Sequence, residues 1–492
     1  MSTPFVYEQD DFYDVLVVGA SFAGLSFASV ASALGLRVLV VEKDSKVGGI
    51  VRTTGVLFSD VLDILDVPPR YLLNSVRRIH IQPPDHTPVE IQSFAYRYYM
   101  ADVTGMLEWM AAQAQERGVT IQCSTLFQSA TREQDGLMHV TLHRTTQREE
   151  TSRDLDNSPN LDNSPYPALS TSPEETAPNG STNGSTEPNT KRSLTTSTRR
   201  SQDLMTIGNS VIKTRCVIGA DGTHSRVARS MALSENTRYL AGAEWLLDGV
   251  KLDEETFYLI MDQQLAPGYC LWLAPHGKLA ALGVAGHARS FSPATSLRVA
   301  QEAFGTVTDM SGARVVERKG GVIPTGGRLR HVYRDDELGC ALLLGDAAGL
   351  CGAATGGGIY PALISGRLAA HAVAGSLLDG EREAIPTYLR DIVHAGRLGD
   401  YLRIEDWLRR VLDSMRSNAD LAMLYGLFAS EEGQRVLQLT LLGTPIISMD
   451  SNFFSLLSKL LKRHPKVYRS ALDAVWQRIG IEQPLFPTRK ES

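Results

Sequence analysis

Residues 14–42 constrain the start of this chain more tightly than any other stretch. Val15, Leu16, Val17 and Val18 form a continuous apolar run, the pattern of a strand buried on both faces of a parallel sheet. Gly19 breaks the run, residues 20–34 are small and helix-compatible, and Gly35 closes them. A second apolar run over residues 38–41 ends on Glu42. A strand, a glycine turn, a helix and a second strand ending in an acid form the unit with which an α/β fold presents a helix N-terminus to a pyrophosphate. The acid stands where it can accept hydrogen bonds from an adenosine ribose.

The turn departs from G-x-G-x-x-G at one position. Gly19 and Gly24 are present, but Ser21 occupies the second glycine position, where backbone would approach the pyrophosphate. Either its Cβ is accommodated or its hydroxyl donates a hydrogen bond of its own.

With 492 residues the chain should hold two or three domains and bury a substantial core. A net charge of −6 gives no basic field, which argues against nucleic acid as a partner. The cysteines (Cys123, Cys216, Cys270, Cys340 and Cys351) show neither C-x-x-C nor metal-ligand spacing. A reducing compartment is expected, with no disulfide framework and no metal site. Residues 1–14 are polar and acidic, unlike a signal peptide, and no apolar run is long enough to span a bilayer. The expectation is a cytoplasmic protein that at most lies against a membrane.

Along the chain, residues 43–55 read as a glycine-rich loop and residues 56–65 as a helix stopped by Pro68-Pro69. Residues 77–82 and 89–92 read as strands, residues 103–117 as a helix, and 119–123 and 137–143 as strands. Residues 145–202 differ in kind. Leu-Asp-Asn-Ser-Pro and Asn-Gly-Ser-Thr each occur twice there, and few large apolar residues offset the entropy of ordering, so a disordered insertion is expected. Asn179 and Asn183 begin sequons, but without a secretory signal they carry no glycosylation expectation. Residues 212–218 read as a strand running into Gly219-Ala220-Asp221-Gly222, and strand-like runs over 256–285 suggest an antiparallel sheet. The strand at 340–344 runs into Gly345-Asp346-Ala347-Ala348-Gly349. Gly356-Gly357-Gly358 then opens a long helix over 359–378, and the rest reads as mostly helical, with Ile404, Leu408, Val411, Leu412 and Met415 on one face.

Three glycine turns, each after an apolar strand, stand in this order. Together they resemble the two-domain flavoprotein fold of para-hydroxybenzoate hydroxylase. Asp221-Gly222-Thr223-His224-Ser225-Arg226-Val227 with Arg229 is similar to its D-G-x-x-S-x-V-x-R motif, and Gly345-Asp346-Ala347-Ala348 to its G-D-A-A motif. The resemblance implies FAD as cofactor and an α/β architecture, a Rossmann-type FAD-binding domain with a parallel sheet beside an antiparallel-sheet substrate domain and a helical C-terminus. The FAD domain would comprise 1–75, 103–144, 203–232 and 338–384. The substrate domain would comprise 76–102 and 233–337, and the helical region 385–492. The implied cofactor contacts are Gly19, Ser21, Phe22, Ala23, Gly24, Glu42 and Lys43 at the AMP end. Asp221, Gly222, Gly345 and Asp346 follow at the middle, Asp346 accepting from the ribityl hydroxyls. Gly356, Gly357, Gly358 and Ile359 would meet the isoalloxazine, where bare backbone can approach and a helix N-terminus can stabilise negative charge.

Thr355-Gly356-Gly357-Gly358-Ile359-Tyr360-Pro361-Ala362 followed by Ser365-Gly366-Arg367 resembles the signature of geranylgeranyl reductases. Gly321-Val322-Ile323-Pro324 is similar to that family's G-x-I-P run. Pro267-Gly268-Tyr269 with Trp272, Ala274 and Pro275 is similar to its P-x-x-Y-x-W-x-F-P segment, with Tyr269 and Trp272 one residue further apart and Ala274 in place of phenylalanine. Two other positions depart from the family: residues 47–55 hold no cysteine, and Val103 stands where arginine is common. The resemblance implies that electrons from NADPH or NADH reduce FAD and that a hydride then passes to an isoprenoid C=C bond, with Tyr269, Trp272 and Pro275 against the substrate. An aromatic or polyketide monooxygenase and a lycopene-cyclase-like flavoprotein share the three turns, and a non-enzymatic flavoprotein scaffold is a further reading. No residue identifies itself as the catalytic acid. Cys351 reads as a buried thiol and His276 as a turn histidine. Phe453, Phe454, Leu456, Leu457, Leu460 and Leu461 precede Lys462-Arg463-His464-Pro465-Lys466, an apolar-then-basic segment that reads as a packed terminal helix or as a peripheral contact with an anionic membrane.

Overall fold

A computed structural model describes residues 12–146, 205–287 and 291–437, apart from 85–87, 94–95, 395, 427, 429, 432 and 435–436. The protein is α/β. Its first sheet has a parallel core in the order Gly339–Leu343, Met205–Gly219, Phe12–Val18, Val38–Val41, Thr120–Gln122. Val15, Leu16 and Val17 are fully buried, as an apolar run covered on both faces requires. Helix Phe22–Ala33 packs against helix Ile359–Leu378 on one side of this sheet and against helix Val103–Glu116. Close packing at the first pair depends on Gly366, where a Cβ would lie 2.4 Å from the carbonyl oxygen of Ala23.

The strands flanking residues 147–204, Met138–Thr146 and Met205–Gly219, pair antiparallel up to Thr146 opposite Met205. The expected disordered insertion thus falls almost wholly outside the described residues. So does the apolar-then-basic segment near the C-terminus.

The second sheet has seven strands, in the order Arg314–Pro324, Tyr239–Asp248, Leu279–His287, Leu271–His276, Thr256–Ile260, Arg78–Gln82, Val89–Gln92. The expected antiparallel sheet holds one parallel pair, Thr256–Ile260 with Arg78–Gln82, where two chain segments remote in sequence meet. Residues 56–65 do not form one helix. Val56–Phe58 is a strand paired with Tyr98–Ala101, and only Val61–Ile64 is helical. An apolar Val-Leu-Phe triplet serves either state, and the pairing with residues 98–101 decides it.

Helices Arg397–Ser414 and Asn418–Gly426 lie on the second sheet. Val411, Met415, Leu421 and Tyr425 join Ile79, Ile81, Val89, Ile91 and Met261 in one apolar cluster. The cysteines are less scattered in space than in sequence. Cys216 and Cys340, on adjacent strands and both buried, bring their Sγ atoms to 2.8 Å. Among the described residues no helix is long and apolar enough to cross a membrane.

Candidate active site

The three glycine turns converge at the ends of the parallel strands, where open α/β sheets bind ligands. Gly19, at φ +102°, abuts the second turn so closely that a Cβ would lie 2.4 Å from the Ala220 carbonyl oxygen. A Cβ on Gly24 would meet the Gly19 carbonyl oxygen at 2.1 Å, so this glycine serves packing between helix and turn. Ser21 resolves its own anomaly. Its hydroxyl donates to the Ala220 carbonyl at 2.9 Å and accepts from the Gly24 N–H at 3.3 Å, capping helix Phe22–Ala33 and tying the first turn to the second. The Glu42 carboxylate accepts from the N–H groups of Ala20 at 2.9 Å and Asp44 at 3.0 Å, which locks the turn to the second strand.

The Asp221 carboxylate is committed locally. It accepts from the Ser225 hydroxyl at 2.6 Å and from the N–H groups of Arg226 at 2.6 Å and Val227 at 3.3 Å, at the start of helix Arg226–Ser230. Burial still raises its pKa. Asp346 contrasts with it. Its side chain has no hydrogen-bond partner among the described residues, faces the cavity, and is raised by burial to about 6.

The glycine loop is built as a bare backbone surface. A Cβ on Gly356, whose φ is +72°, would approach the Tyr269 hydroxyl to 2.9 Å, and one on Gly357 would approach Phe58 Cζ to 2.8 Å. The Tyr269 hydroxyl donates to the Thr355 carbonyl. Glu405 accepts from the N–H groups of Ala354 at 3.0 Å and Thr355 at 2.9 Å and from the Thr355 hydroxyl at 3.1 Å. Burial raises the pKa of Glu405 against those hydrogen bonds, and also those of Tyr269 and Tyr401. No side chain caps the start of helix Ile359–Leu378, and Pro361 removes one N–H that would otherwise need a partner. The helix therefore presents unclaimed donors and its positive dipole end to the cavity.

One cavity of about 1650 Å³ joins these parts. Single-ligand pockets run roughly 300–1,000 Å³, so this one has room for a second molecule beside a cofactor. Gly19, Ser21, Phe22, Ala23, Glu42, Lys43, Asp221, Gly222, Gly345, Asp346 and residues 356–359 line it, as do Tyr269 and Trp272. Gly24 and Pro275 are not among its lining residues; Pro275 is buried in the sheet opposite Ala280. Beyond the glycine loop the cavity continues as an apolar arm between the second sheet and the C-terminal helices, past Phe257, Leu259, Trp407, Val411, Leu424 and Phe428. Arg409, on helix Arg397–Ser414, ties it to the second sheet's turn, donating to the Gly268 carbonyl at 2.6 Å and pairing with Asp413 at 2.8 Å.

Cys351 is buried and its thiol is pushed up by burial beside Asp346 and Glu405, which leaves it protonated and unreactive. His276 is half-buried at a strand end outside the cavity lining, lowered by burial and by Lys319. Sequence reasoning missed Glu405, Arg409, Thr54 and Glu244. Glu244 carried one signal, a carboxylate flanked by apolar residues in the middle of strand Tyr239–Asp248.

The site fits an FAD on two observations: the unpartnered Asp346 carboxylate in the cavity wall, and the cradle at residues 356–358 that any Cβ would fill. Comparison with known proteins agrees. Residues 14–153 match the family model for FAD dependent oxidoreductases. A digeranylgeranylglycerophospholipid reductase of Methanosphaera stadtmanae is 24% identical over 378 residues, covering 75% of this chain and 79% of that protein. Among solved structures, a geranylgeranyl bacteriochlorophyll reductase-like protein of Thermoplasma acidophilum superposes with a TM-score of 0.68 at 17% identity, over 94% of this chain and 99% of that one. The myxobacterial chondrochloren halogenase superposes with a TM-score of 0.56 at 12% identity, over 92% of this chain and 97% of that one, so the fold also hosts other flavin chemistry. The chain is an FAD-dependent oxidoreductase, an enzyme whose resemblance to the geranylgeranyl reductases extends from its three glycine turns to its relatives.

Proposed function

We propose that this enzyme saturates C=C bonds of an isoprenoid lipid. The observation that carries the reading is the apolar arm, which leads from the glycine loop between the second sheet and helices Arg397–Ser414 and Asn418–Gly426. A polyprenyl chain is long, flexible and apolar, and a lined tunnel offsets its ordering by removing it from water. The relative from Methanosphaera stadtmanae is named for reduction of such a lipid.

In this reading the Gly19–Ala23 turn and the N-terminus of helix Phe22–Ala33 hold the pyrophosphate, with Lys43 at the mouth. Glu42 keeps lone pairs for the ribose beside the two N–H groups it already binds. Asp346 accepts from the ribityl hydroxyls, which favours its charged form against burial. Asp221, spent on its own turn, shapes that wall, and Gly222 lets backbone approach. Residues 356–359 present backbone and dipole to the isoalloxazine. Bound and reduced by NADPH, NADH or another donor, FAD supplies a hydride. Tyr269 and Trp272, edge to face at 6.4 Å between ring centroids, form the wall where the arm reaches the glycine loop, orienting the chain and excluding water. The domains divide accordingly: the parallel sheet carries the cofactor, and the seven-stranded sheet and C-terminal helices carry the lipid.

The test is product mass. The FAD-loaded protein is incubated with a chemical reductant and a geranylgeranyl lipid without oxygen. Gain of two hydrogens per double bond supports the reading. Gain of an oxygen atom only in air would identify a monooxygenase instead, and a new ring at unchanged mass a cyclase.

A further inference from the structure

Glu244 is the one buried carboxylate in the wall of the apolar half of the cavity that the foregoing leaves without a task. It lies in a row across four strands, in the register Lys319, Glu244, Gly283, Trp272. Residues in such a row project on one face of a sheet. Gly283 has no side chain, and the Trp272 indole lies over it, so that a Cβ there would be 2.0 Å from the ring. Across this gap Trp272 Nε1 donates to Glu244 Oε2 at 3.0 Å. From the opposite side, the loop after the second parallel strand sends the Thr54 hydroxyl to the same oxygen at 2.6 Å. The other oxygen, Oε1, is buried and accepts no hydrogen bond among the described residues; Lys319 Nζ stands 3.7 Å from it. Glu244 is 4% exposed, yet it, Thr54, Trp272 and Lys319 all line the cavity. Tyr269, which holds the glycine loop through Thr355, contacts Trp272 edge to face, so one aromatic pair separates Glu244 from the loop.

A carboxylate kept for structure alone would be satisfied at both oxygens or paired with a cation at hydrogen-bond distance. Glu244 is neither. Its surroundings can hold both the neutral and the charged form, which a proton source must do. We propose that Glu244 is the proton reservoir for the reduction and acts through the Thr54 hydroxyl. The inference rests on the reductase reading. With Glu244 neutral the same contact runs the other way, the carboxyl donating to the Thr54 oxygen and freeing the Thr54 hydroxyl proton to face the substrate. As the hydride reaches one carbon of the double bond, the π electrons form a bond from the adjacent carbon to that proton, and the Thr54 O–H bond breaks. Thr54 recovers a proton from Glu244, and the carboxylate left behind is held by Trp272, Thr54 and Lys319. Water at the cavity mouth returns the proton. Glu244 is thus a positioning and proton-supplying residue behind Thr54, the group that meets substrate.

The groups that set its charge come from each packed element. Lys319 favours the anion and Glu317 opposes it from the edge strand, and burial opposes it most. Arg52, whose Cβ packs on Gly321, lies in the Thr54 loop, and His276 ends the Trp272 strand.

Infrared difference spectra of the FAD-loaded protein, titrated upward in pH without substrate, test the inference independently of turnover. A protonated-carboxyl carbonyl band should persist above the usual carboxylate range and be missing in Glu244→Gln. In anaerobic single turnovers Glu244→Gln should slow flavin oxidation by the prenyl lipid about 100-fold or more, with its reduction unchanged. Thr54→Val should behave alike with KM unchanged, and Thr54→Ser should restore the rate. Should Glu244→Gln fail to fold, the band in Thr54→Val protein and that variant's rate decide. Absence of the band, or a Glu244→Gln protein at the wild-type rate, overturns the inference and leaves the reductase reading standing. A wild-type protein that oxidises its flavin with no prenyl lipid overturns both.

Discussion

Glu405 grips Thr355 twice, accepting from its backbone N–H at 2.9 Å through Oε2 and from its hydroxyl at 3.1 Å through Oε1. Helix Arg397–Ser414 thereby fixes the glycine loop, while Tyr401, one turn earlier, packs on Gly357. The helix that lines the apolar arm and the glycine loop are one mechanical unit.

Replacing Glu405 with Ala leaves the Ala354 and Thr355 N–H groups buried without an acceptor. Each such loss costs about 1–3 kcal/mol. Glu405→Ala should lower the melting temperature and weaken FAD binding together, read by thermal denaturation and flavin fluorescence titration. Glu405→Gln should recover much of both.

Gly356→Ala places a Cβ at φ +72° and 2.9 Å from the Tyr269 hydroxyl. The left-handed backbone alone costs roughly 1–2 kcal/mol. The variant should fold but bind FAD more weakly and lose turnover. Full activity would show that the loop's bare backbone is incidental.

Asp346 gives the cofactor-free protein a pH dependence with a definite sign. Its carboxyl is raised from 3.8 to about 6, so between those values the folded state holds a proton that the unfolded state has lost. Stability from this group is greatest below that window and falls as pH rises through it. Thermal melts of FAD-free protein across the window should show the decline, and Asp346→Asn should flatten it. FAD should suppress the decline as well, because its hydroxyls support the anion.

Val411→Trp fills the arm between the second sheet and helix Arg397–Ser414, well past the glycine loop. FAD affinity should stay at the wild-type value while turnover of a long prenyl lipid collapses. A short isoprenoid should be affected less.

Several parts of this architecture are legible in the amino-acid sequence because their causes are local. Helix Ile359–Leu378 begins where a glycine triplet ends and runs through small residues, so its bounds follow from pattern alone. The first two parallel strands are continuous apolar runs, and burial on both faces produces that pattern. What escapes is settled between distant segments. Val56–Phe58 becomes a strand only through Tyr98–Ala101, and Thr125–Arg132, with Gln128, Ser129 and Thr131 interrupting its apolar residues, gives little local signal. Glu244 meets Thr54 across 190 positions, and Glu405 meets Thr355 across 50. Neither carries a motif, because its role is defined by what packs against it. Ser21 teaches the converse. A departure from the fingerprint is explained once its hydroxyl is seen bonded to Ala220 in the second turn.

In the proposed reaction an isoprenoid lipid in the apolar arm takes up the electrons of the bound flavin. The most direct test is an anaerobic single turnover. FAD in the protein is reduced chemically, mixed with a geranylgeranyl lipid, and followed by the return of oxidised-flavin absorbance. Reoxidation without oxygen is expected, with one double bond saturated per flavin and the process abolished in Val411→Trp. Flavin that stays reduced until air is admitted, with the lipid then oxygenated or unchanged, would contradict it.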